Sequence, residues 1–556
     1  MKTRNELAEL IFPDIHETVE DLEKRYPERD LPVGARVTRF APSPTGFLHT
    51  GSLFTAMIAR KVAHQSGGVF FIRLEDTDTK REIQGSGDTL ISQLREFGVN
   101  PDEGYLGAKE KGAYGPYKQS DRASIYKTVI KKMIVDGNAY PCFATTEELE
   151  RLRAEQESLK IVPGYYGKYA TYRDLPVDEA YDRILRGDKF VLRFRSQGNH
   201  ERYIQVHDLI RGDLFLSQND QDIVILKSDG LPTYHFAHAV DDHFMRTTTV
   251  TRGEEWLSSL PIHIELFDAL AWKAPEYAHL PVIMKLDEGN KRKLSKRKDP
   301  EAAVSYFLDD GYPPSALIEY LMTIANSNFE EWRMQNPTVS RDEFVFSFDK
   351  MSLDGALFDI MKLKFVSKEI LSRENARRIT YEARDYATKH DPKLYALITG
   401  DQLYFESIMN IEREKENPRK DYEKFSDIFP LVRFFYRMEY AEIISGTLPF
   451  NPDFSTALIS EVLEDIRETL QLEDVSEEQW FTDLKTVGER HGFAPSGKIY
   501  KANKEIYKGH IGDVAEMLRI AVTGSKQSPN LYYVLQVLGL QEVKDRLAII
   551  VEKLSK

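Results

Sequence analysis

The spacing of apolar residues predicts a β–loop–α–β unit near the start of the chain. Residues 36–41 (RVTRFA) favour a strand, and the segment from Ser52 onward carries apolar residues at the period of a helix. Gly67 and Gly68 end that helix, and VFFIRL at 69–74 is a continuous apolar run of strand length. Such units wind into parallel sheets that bind ligands beyond the carboxyl ends of their strands. Residues that follow each strand are therefore candidates for a site.

The sheet pattern is interrupted and then resumes. Residues 115–220 mix short helical pieces with strand-like runs, which indicates an insertion. Further strands are predicted at 222–226 (DIVIL), 247–252 (TTTVTR) and 279–285 (HLPVIMK). Helical spacing dominates beyond about residue 300, and the chain from residue 376 onward is expected to be all-helical. The fold class predicted is α/β, split by an insertion, with a helical extension before it and a helical region after it.

Composition narrows the function classes. The chain has 556 residues, 41% of them hydrophobic and 29% charged, which is typical of a soluble protein with several domains. Cys142 is the only cysteine, so internal disulfides and cysteine-rich zinc sites are excluded. Without a signal segment or a long apolar run, we expect a cytoplasmic protein with no membrane partner. The net charge of -14 requires that any nucleic acid be bound by local basic surface.

A loop rich in proline and glycine follows the first strand. Pro42 and a second proline stiffen it, while Gly46 and Gly51 let a ligand approach the backbone closely. The following helix directs its free N–H groups at that ligand, so a phosphate is the expected guest. His49 can donate a hydrogen bond to a polyphosphate during phosphoryl or nucleotidyl transfer. The alternative is an ordinary turn with a structurally satisfied histidine.

Three other segments follow predicted strands. NKRKLSKRK at 290–298 has six basic residues in nine positions, suited to neutralising pyrophosphate or, alternatively, only a solvated loop. The acidic turn at 75–78 suits an ammonium group or a metal, or only caps a helix. Tyr234, His238 and Arg252 lie in the segment 228–256, where a buried arginine suits an acidic ligand.

Together these segments resemble the class I aminoacyl-tRNA synthetases, and among them the bacterial-type glutamyl-tRNA synthetases. PSPTGFLHTGS resembles that group's form of the HIGH signature, with Ser52 in place of the second histidine. KLSKR at 293–297 resembles the KMSKS signature. Further matches are RLEDTD, YGPYKQSDR, DLIRGD, KSDGLPTYHFAHAVDDH and RGEEWLSS. The resemblance is strong over residues 36–370 and weaker to the C-terminus.

The resemblance implies a two-step ligase. ATP and glutamate would form glutamyl-adenylate, and the glutamyl group would then move to the 3′ end of tRNA(Glu). It also implies a division of the chain into a helical extension, a Rossmann-type catalytic domain in two halves, an acceptor-stem-binding insertion between them, a helical stem-contact region and an anticodon-binding region. In chain order the ranges are 1–34 for the extension, 35–114 and 221–300 for the catalytic halves, 115–220 for the insertion, 301–375 for the stem-contact region and 376–556 for the anticodon-binding region.

Site residues are carried over position by position. His49 and Lys296 are the implied catalytic residues. ATP binding is implied for Pro42, Gly46, His49, Gly51, Ser52, Trp256, Lys293, Ser295, Lys296 and Arg297. Glutamate binding is implied for Arg39, Ser43, Glu75, Tyr234, His238 and Arg252. Glu75 would pair with the α-ammonium group and the arginines with the carboxylates, whereas many relatives carry Asn at the position of His238.

The implied partners are tRNA(Glu), glutamate and ATP with Mg²⁺. The protein is expected to be a monomer and to hold no zinc or other metal of its own. Within the anticodon-binding region, residues 461–480 hold eight acidic residues against one Arg, whereas 491–510 hold four Lys against one Glu. The second stretch is the better candidate to face RNA. Four alternatives remain: an enzyme that also charges tRNA(Gln), a glutaminyl enzyme, a paralogue that glutamylates a modified base, and an inactive RNA-binding relative.

Overall fold

The computed structural model describes residues 1–78, 83–295 and 297–556. The chain divides into two compact units. The first unit comprises Met1–Tyr306 and Ile318–Asp359, and the second comprises Phe307–Leu317 and Ile360–Lys556.

The strands, in chain order, are β1 Val37–Phe40, β2 Val69–Ile72, β3 Glu103–Tyr105, β4 Glu110–Lys111, β5 Ala139–Cys142, β6 Val191–Phe194, β7 Tyr203–Asp208, β8 Gly212–Ser217, β9 Val224–Leu226, β10 Thr249–Gly253, β11 Glu276–Leu280, β12 Ile283–Asp287, β13 Asn290–Lys293, β14 Ala356–Leu357, β15 Phe493–Ala494 and β16 Gly509–His510.

The helices are α1 Arg4–Ile11, α2 Val19–Arg25, α3 Thr50–Gln65, α4 Ser86–Glu96, α5 Ala123–Asp136, α6 Thr146–Ser158, α7 Val177–Leu185, α8 Tyr234–Phe244, α9 Leu260–Ala269, α10 Val304–Asp310, α11 Pro314–Ala325, α12 Phe329–Gln335, α13 Ile360–Arg373, α14 Ala376–His390, α15 Pro392–Gly400, α16 Gln402–Met409, α17 Ile428–Val432, α18 Arg437–Ser445, α19 Thr456–Thr469, α20 Glu477–Arg490, α21 Gly497–Ala502, α22 Ile511–Thr523, α23 Leu531–Leu538 and α24 Leu540–Ser555.

An eight-stranded sheet forms the centre of the first unit, in the order β4-β3-β2-β1-β10-β11-β7-β8. The six strands from β3 to β7 in that order pair in parallel, and an antiparallel hairpin strand closes each edge. All four residues of β1 are buried, as expected for a strand covered on both faces. The predicted α/β class is confirmed. The carboxyl ends of β1, β2, β10 and β11 meet at one edge of this sheet.

Two predicted strands are placed differently in the structure. The strand predicted at 222–226 is β9, which pairs with β6 in a separate three-stranded antiparallel sheet with β5. The strand predicted at 279–285 is divided: β11 ends at Leu280 and β12 begins at Ile283 in another small sheet. Pro281 lies between them and has no N–H to donate to a ladder. An apolar run indicates a strand but does not select its partner.

The basic segment after β12 is also more ordered than a loop. Asn290–Lys293 forms β13, which pairs antiparallel with β12 from Met284↔Lys293 to Asp287↔Asn290. The segment therefore returns along β12, and the first residue of KLSKR, Lys293, is the last residue of β13.

The N-terminal extension is packed into the first unit. Thr3 and Thr18 cap α1 and α2 through reciprocal capping boxes. The Tyr26 hydroxyl donates to the Gly115 carbonyl over 2.8 Å, and Arg246 Nε donates to the Tyr26 carbonyl over 2.9 Å. The extension thus ties segments that are distant in sequence to one core.

The second unit is built from helices around one apolar core. Arg546 is 1% exposed and donates from Nη1 to the carbonyls of Phe434 and Val522, each over 2.7 Å. The predicted helical region is confirmed, and besides the helices it contains one short parallel pair, β15 and β16. In the part of the chain that the structure describes, no helix is both long and apolar enough to span a bilayer.

Candidate active site

A cavity of about 440 Å³ opens at the carboxyl edge of the parallel sheet, where the topology predicts a ligand site. The predicted site residues that line it are Arg39, Ser43, His49, Gly51, Ser52, Glu75, Tyr234, Arg252, Trp256 and Lys293. They come from β1, β10, β13, α3, α8 and the loops after β1, β2 and β10.

His49 caps the helix that points at this cavity. The Gly51 N–H donates to His49 Nδ1 over 2.9 Å, so the neutral ring carries its proton on Nε2. The first turn of α3 contains no acidic residue, and its partial positive charge is not offset within the helix. The arrangement suits an anion such as phosphate.

The loop between β1 and α3 holds the end of the neighbouring strand. The Pro42 carbonyl accepts the Glu75 N–H over 2.9 Å, which ties the two strand ends together. Gly46 has φ +127°, a conformation that residues with a Cβ rarely adopt. Pro42 and Gly46 therefore shape the loop without lining the cavity.

A buried ion-pair network lies beneath the cavity. Arg39 Nε lies 3.2 and 3.3 Å from the two carboxylate oxygens of Asp242, and Arg73 Nη1 lies 2.6 Å from the same carboxylate. Arg73 Nη2 donates to Glu75 over 3.1 Å. Although burial opposes the charge of Asp242, Arg39 and Arg73 hold its pKa below the usual range. The network fixes Arg39 and Glu75 at the cavity wall.

The pKa of Glu75 is shifted in the opposite direction from that of Asp242. Burial raises the pKa of this carboxyl, and the nearby cations Arg73 and Arg39 only partly offset that effect. A carboxylate held this way gains from an ammonium ligand that replaces its lost hydration.

Arg252 also lines the cavity and is held mainly by imidazole rings. Its Nε donates to His279 Nε2 over 2.9 Å, and its Nη1 lies 3.0 Å from His263 Nδ1. The guanidinium also lies 4.8 Å from the centre of the Tyr277 ring. It is 4% exposed.

Aromatic side chains complete the cavity. The ring centres of Tyr234 and Trp256 lie 4.4 Å apart with their planes inclined by 33°, and both rings border the cavity, where an aromatic face can contact a nucleoside. His238 lies behind them, fully buried: its Nδ1 is 3.1 Å from Asp242, and its Nε2 is 3.1 Å from the Tyr277 hydroxyl. Burial first, and then Arg252 and Arg39, lower the pKa of His238 well below its ordinary value, so its ring is neutral.

The KLSKR segment is anchored near the cavity by an acid. Lys293 lines the cavity and lies 3.6 Å from Glu255. Asp299 accepts the Ser295 N–H over 2.8 Å and two bonds from Arg292, over 2.6 and 2.8 Å. Ser295 and the exposed Arg297 do not line the cavity, and Lys296 lies outside the described residues.

Comparison with known proteins matches two ranges of the chain to known families. Residues 36–365 match the family described as tRNA synthetases class I (E and Q), catalytic domain. The chain belongs to this family. Residues 416–551 match the family described as an anticodon binding domain.

Individual relatives agree with this family. The glutamate–tRNA ligase of Clostridium perfringens is 45% identical over 97% of this chain and 99% of its own length. That of Acetivibrio thermocellus is 45% identical over 97% of this chain and 98% of its own length. The crystal structure of a glutamate tRNA ligase from Elizabethkingia meningosepticum, in complex with its amino acid, has a TM-score of 0.74 and 28% identity, covering 93% of this chain and 99% of that one.

Sequence reasoning about this synthetase family missed the residues behind the cavity wall. Arg73, Asp241 and Asp242 lie within the matching segments RLEDTD and KSDGLPTYHFAHAVDDH, but the resemblance implied no role for them. Asp241 accepts from Arg122 Nε over 2.6 Å and from the Tyr126 hydroxyl over 2.8 Å. An arginine at the end of an apolar strand and a pair of aspartates in a mostly apolar helix are the signals that indicate such a network.

Two residues that contact Arg252 were also missed. His263 and His279 hold Arg252, although neither follows the pattern of a known signature. Conversely, His238 was expected to contact glutamate, but it lies behind the cavity wall and does not line it. Its position on α8 directs it toward Asp242, one helical turn later.

Proposed function

We propose that this chain is a glutamate–tRNA ligase that activates glutamate with ATP and transfers it to the 3′ end of tRNA(Glu). The observation that carries the proposal is a single cavity with two kinds of lining. One is the start of α3, whose first turn contains no acidic residue and suits phosphates. The other is a buried acid with two buried arginines, which suits an amino acid with an anionic side chain.

The glutamate end of the cavity is the wall formed by Arg39, Glu75 and Arg252. Glu75 would accept the α-ammonium group, and the two arginines would bind the two carboxylates. Ser43 and Tyr234 would supply hydroxyl groups at the same end. His238 would act through Arg39 and Tyr277, which it contacts, rather than through the substrate.

The ATP end is the start of α3. His49 would donate from Nε2 to a phosphate oxygen, and the N–H groups around Gly51 and Ser52 would meet the same polyphosphate. Trp256 would stack near the adenosine. ATP would enter as its complex with Mg²⁺.

The lysine-rich segment is assigned to pyrophosphate. Lys293 at the cavity wall supports this assignment, and Ser295, Lys296 and Arg297 would complete the segment. Lys296 is proposed as the residue that stabilises the leaving pyrophosphate.

Catalysis then requires positioning and charge, without a covalent enzyme intermediate. A carboxylate oxygen of glutamate attacks the α-phosphorus of ATP, an O–P bond forms, and the bond to pyrophosphate breaks. In the second step a ribose hydroxyl of the tRNA attacks the acyl carbon and AMP leaves. Both transition states gather negative charge on phosphate oxygens or the acyl oxygen, which His49 and the lysines would stabilise.

The remaining regions are assigned to tRNA. Residues 115–220 would bind the acceptor stem, 301–375 would contact the stem, and 376–556 would bind the anticodon. Within the last region Lys498, Lys501, Lys504 and Lys508 are all exposed, which supports an RNA-facing surface there. The ligase is proposed to act as a monomer in the cytoplasm.

The proposal includes no metal other than the magnesium of the substrate. Among residues 1–78, 83–295 and 297–556, no group of three His, Cys, Asp or Glu side chains is arranged to hold a metal ion. That no zinc is bound remains a prediction, which elemental analysis of the purified protein would test.

The test is aminoacylation with labelled glutamate across purified tRNA species. Charging of tRNA(Glu) alone supports the proposal, and charging of tRNA(Gln) as well identifies an enzyme of broader tRNA range. Preferential use of glutamine as the amino acid, or no ATP–pyrophosphate exchange in the presence of any tRNA, would overturn it.

A further inference from the structure

Arg252 differs from the other buried arginines of the site in the groups that hold it. Arg39 and Arg73 both contact the Asp242 carboxylate, and Arg73 also contacts Glu75. Arg252 instead bonds to His279 and His263, and within the described part of the chain it forms no ion pair with a carboxylate.

Hydrogen-bond geometry keeps both histidines neutral. A guanidinium has only donors, so His279 Nε2 and His263 Nδ1 must both accept. His263 then carries its proton on Nε2, which lies 3.0 Å from His235 Nδ1 and donates to it. Adding a second proton to His263 or His279 would set one N–H against another. The hydrogen bonds from Arg252 therefore favour the neutral form of both His263 and His279.

The carboxylate of Asp208 is separated from Arg252 by the imidazole ring of His279. His279 Nδ1 lies 2.7 Å from Asp208 and donates to it, on the side of the imidazole opposite Arg252. Asp208 fixes the tautomer and orientation of His279 in this way. Its charge reaches Arg252 only across the imidazole, whereas Asp242 contacts Arg39 directly.

We propose that His263 and His279 are positioning residues which hold Arg252 in place without neutralising it, so that the pocket selects an amino acid with an anionic side chain over its neutral amide. The inference rests on the proposed assignment of Arg252 to the side-chain carboxylate of glutamate. A cation already paired with a protein carboxylate gains less from a second carboxylate than an unpaired cation does, so it discriminates less between a carboxylate and a neutral amide.

Burial supports this electrostatic picture. It lowers the pKa of His263 well below the ordinary value, and the neighbouring His238 and Arg252 lower it further. Burial also lowers the pKa of His279, although Asp208 opposes the shift. Both rings are therefore neutral near pH 7.

The matched pair His263→Asp and His263→Asn tests the inference. Both side chains place an oxygen near the position of Nδ1, but only Asp adds a negative charge beside Arg252. We expect H263D to lower kcat/KM for glutamate about 10²-fold relative to H263N, chiefly by raising KM. The reason is that the new carboxylate would neutralise Arg252 and leave the side-chain carboxylate of glutamate without a free cation. The preference for glutamate over glutamine should fall by about 10-fold or more, while the KM for ATP stays unchanged. Thermal unfolding of both variants checks that each is folded.

Arg252→Ala separates this inference from the proposed function. If R252A raises the KM for glutamate but H263D behaves as H263N does, the histidine inference is wrong and the pocket assignment stands. If R252A leaves the KM for glutamate unchanged, the assignment of Arg252 itself fails, and the inference fails with it. Equal loss in H263N and H263D, with glutamate preference retained, would reduce His263 to a packing role.

Discussion

Two helices of this chain begin with the same local arrangement, but only one of them begins at the candidate active site. His49 caps α3 and His510 caps α22, and in each case a glycine two residues later donates its N–H to the imidazole Nδ1 over 2.9 Å. The sequences are His-Thr-Gly-Ser and His-Ile-Gly-Asp. The motif that draws attention to His49 is therefore also a way to cap a helix.

The difference lies at the third residue of each helix. In α22 this residue is Asp513, whose carboxylate accepts the His510 backbone N–H over 2.7 Å and faces the positive helix end. In α3 it is Ser52, and the first turn has no acid. The positive end of α22 is offset by the carboxylate of its own Asp513, whereas the positive end of α3 can be offset by a bound anion. The comparison shows that an anion site needs an unfilled helix end in addition to a cap.

The largest effect is expected when α3 is given the acid of α22. Ser52→Asp would place a carboxylate where the polyphosphate is proposed to bind, and Ser52→Asn is the uncharged control. Two unit charges about 4 Å apart near a protein surface repel by about 4 kcal/mol, or roughly a 10³-fold loss in ATP–pyrophosphate exchange. Exchange rates measured with tRNA present test this. Equal rates for the two variants would mean that no phosphate binds at this helix end.

Removing each capping histidine should separate catalysis from stability. His49→Ala is expected to lower exchange by about 10²–10³-fold, the loss typical of one transition-state donor. His510→Ala should leave exchange unchanged and lower the free energy of unfolding by about 1 kcal/mol, as for a lost helix cap. Steady-state exchange and urea unfolding measure the two effects. A similar loss of exchange in both variants would contradict the distinction between the helices.

The smallest effect concerns the acid of α22 alone. Asp513→Asn keeps an acceptor but removes the charge at the helix end, which should cost about 0.3–1 kcal/mol of stability. The loss should shrink in high salt, because the Asp513 side chain is partly exposed and salt screens its charge. Urea unfolding at two salt concentrations provides the measurement, and a salt-independent loss would point to the hydrogen bond instead of the charge.

Much of the fold, and the strand ends that line the cavity, could be predicted from local pattern. Residues at strand ends, such as Glu75 and Arg252, were predicted because parallel topology brings strand ends together. The network beneath them was not, because Arg73 and Asp242 are 169 positions apart in the chain and only the packing of α8 under the sheet joins them. The pairing of β9 was mispredicted for a related reason, since an apolar strand is compatible with any sheet that buries it.

The sequence by itself determined the short-range features of this protein: the strand and helix periods, the His-x-Gly cap and the glycine at φ +127° that the first loop requires. Each depends on residues within a few positions of one another. Only the tertiary structure decided which cap faces a cavity and which buried arginine contacts imidazoles where its neighbours contact a carboxylate. Those properties depend on burial and on contacts between distant segments, because the free energy of a charged group depends on its solvation and on the charges and hydrogen bonds around it. His49 and His510 differ in function for that reason, and so do Arg39 and Arg252.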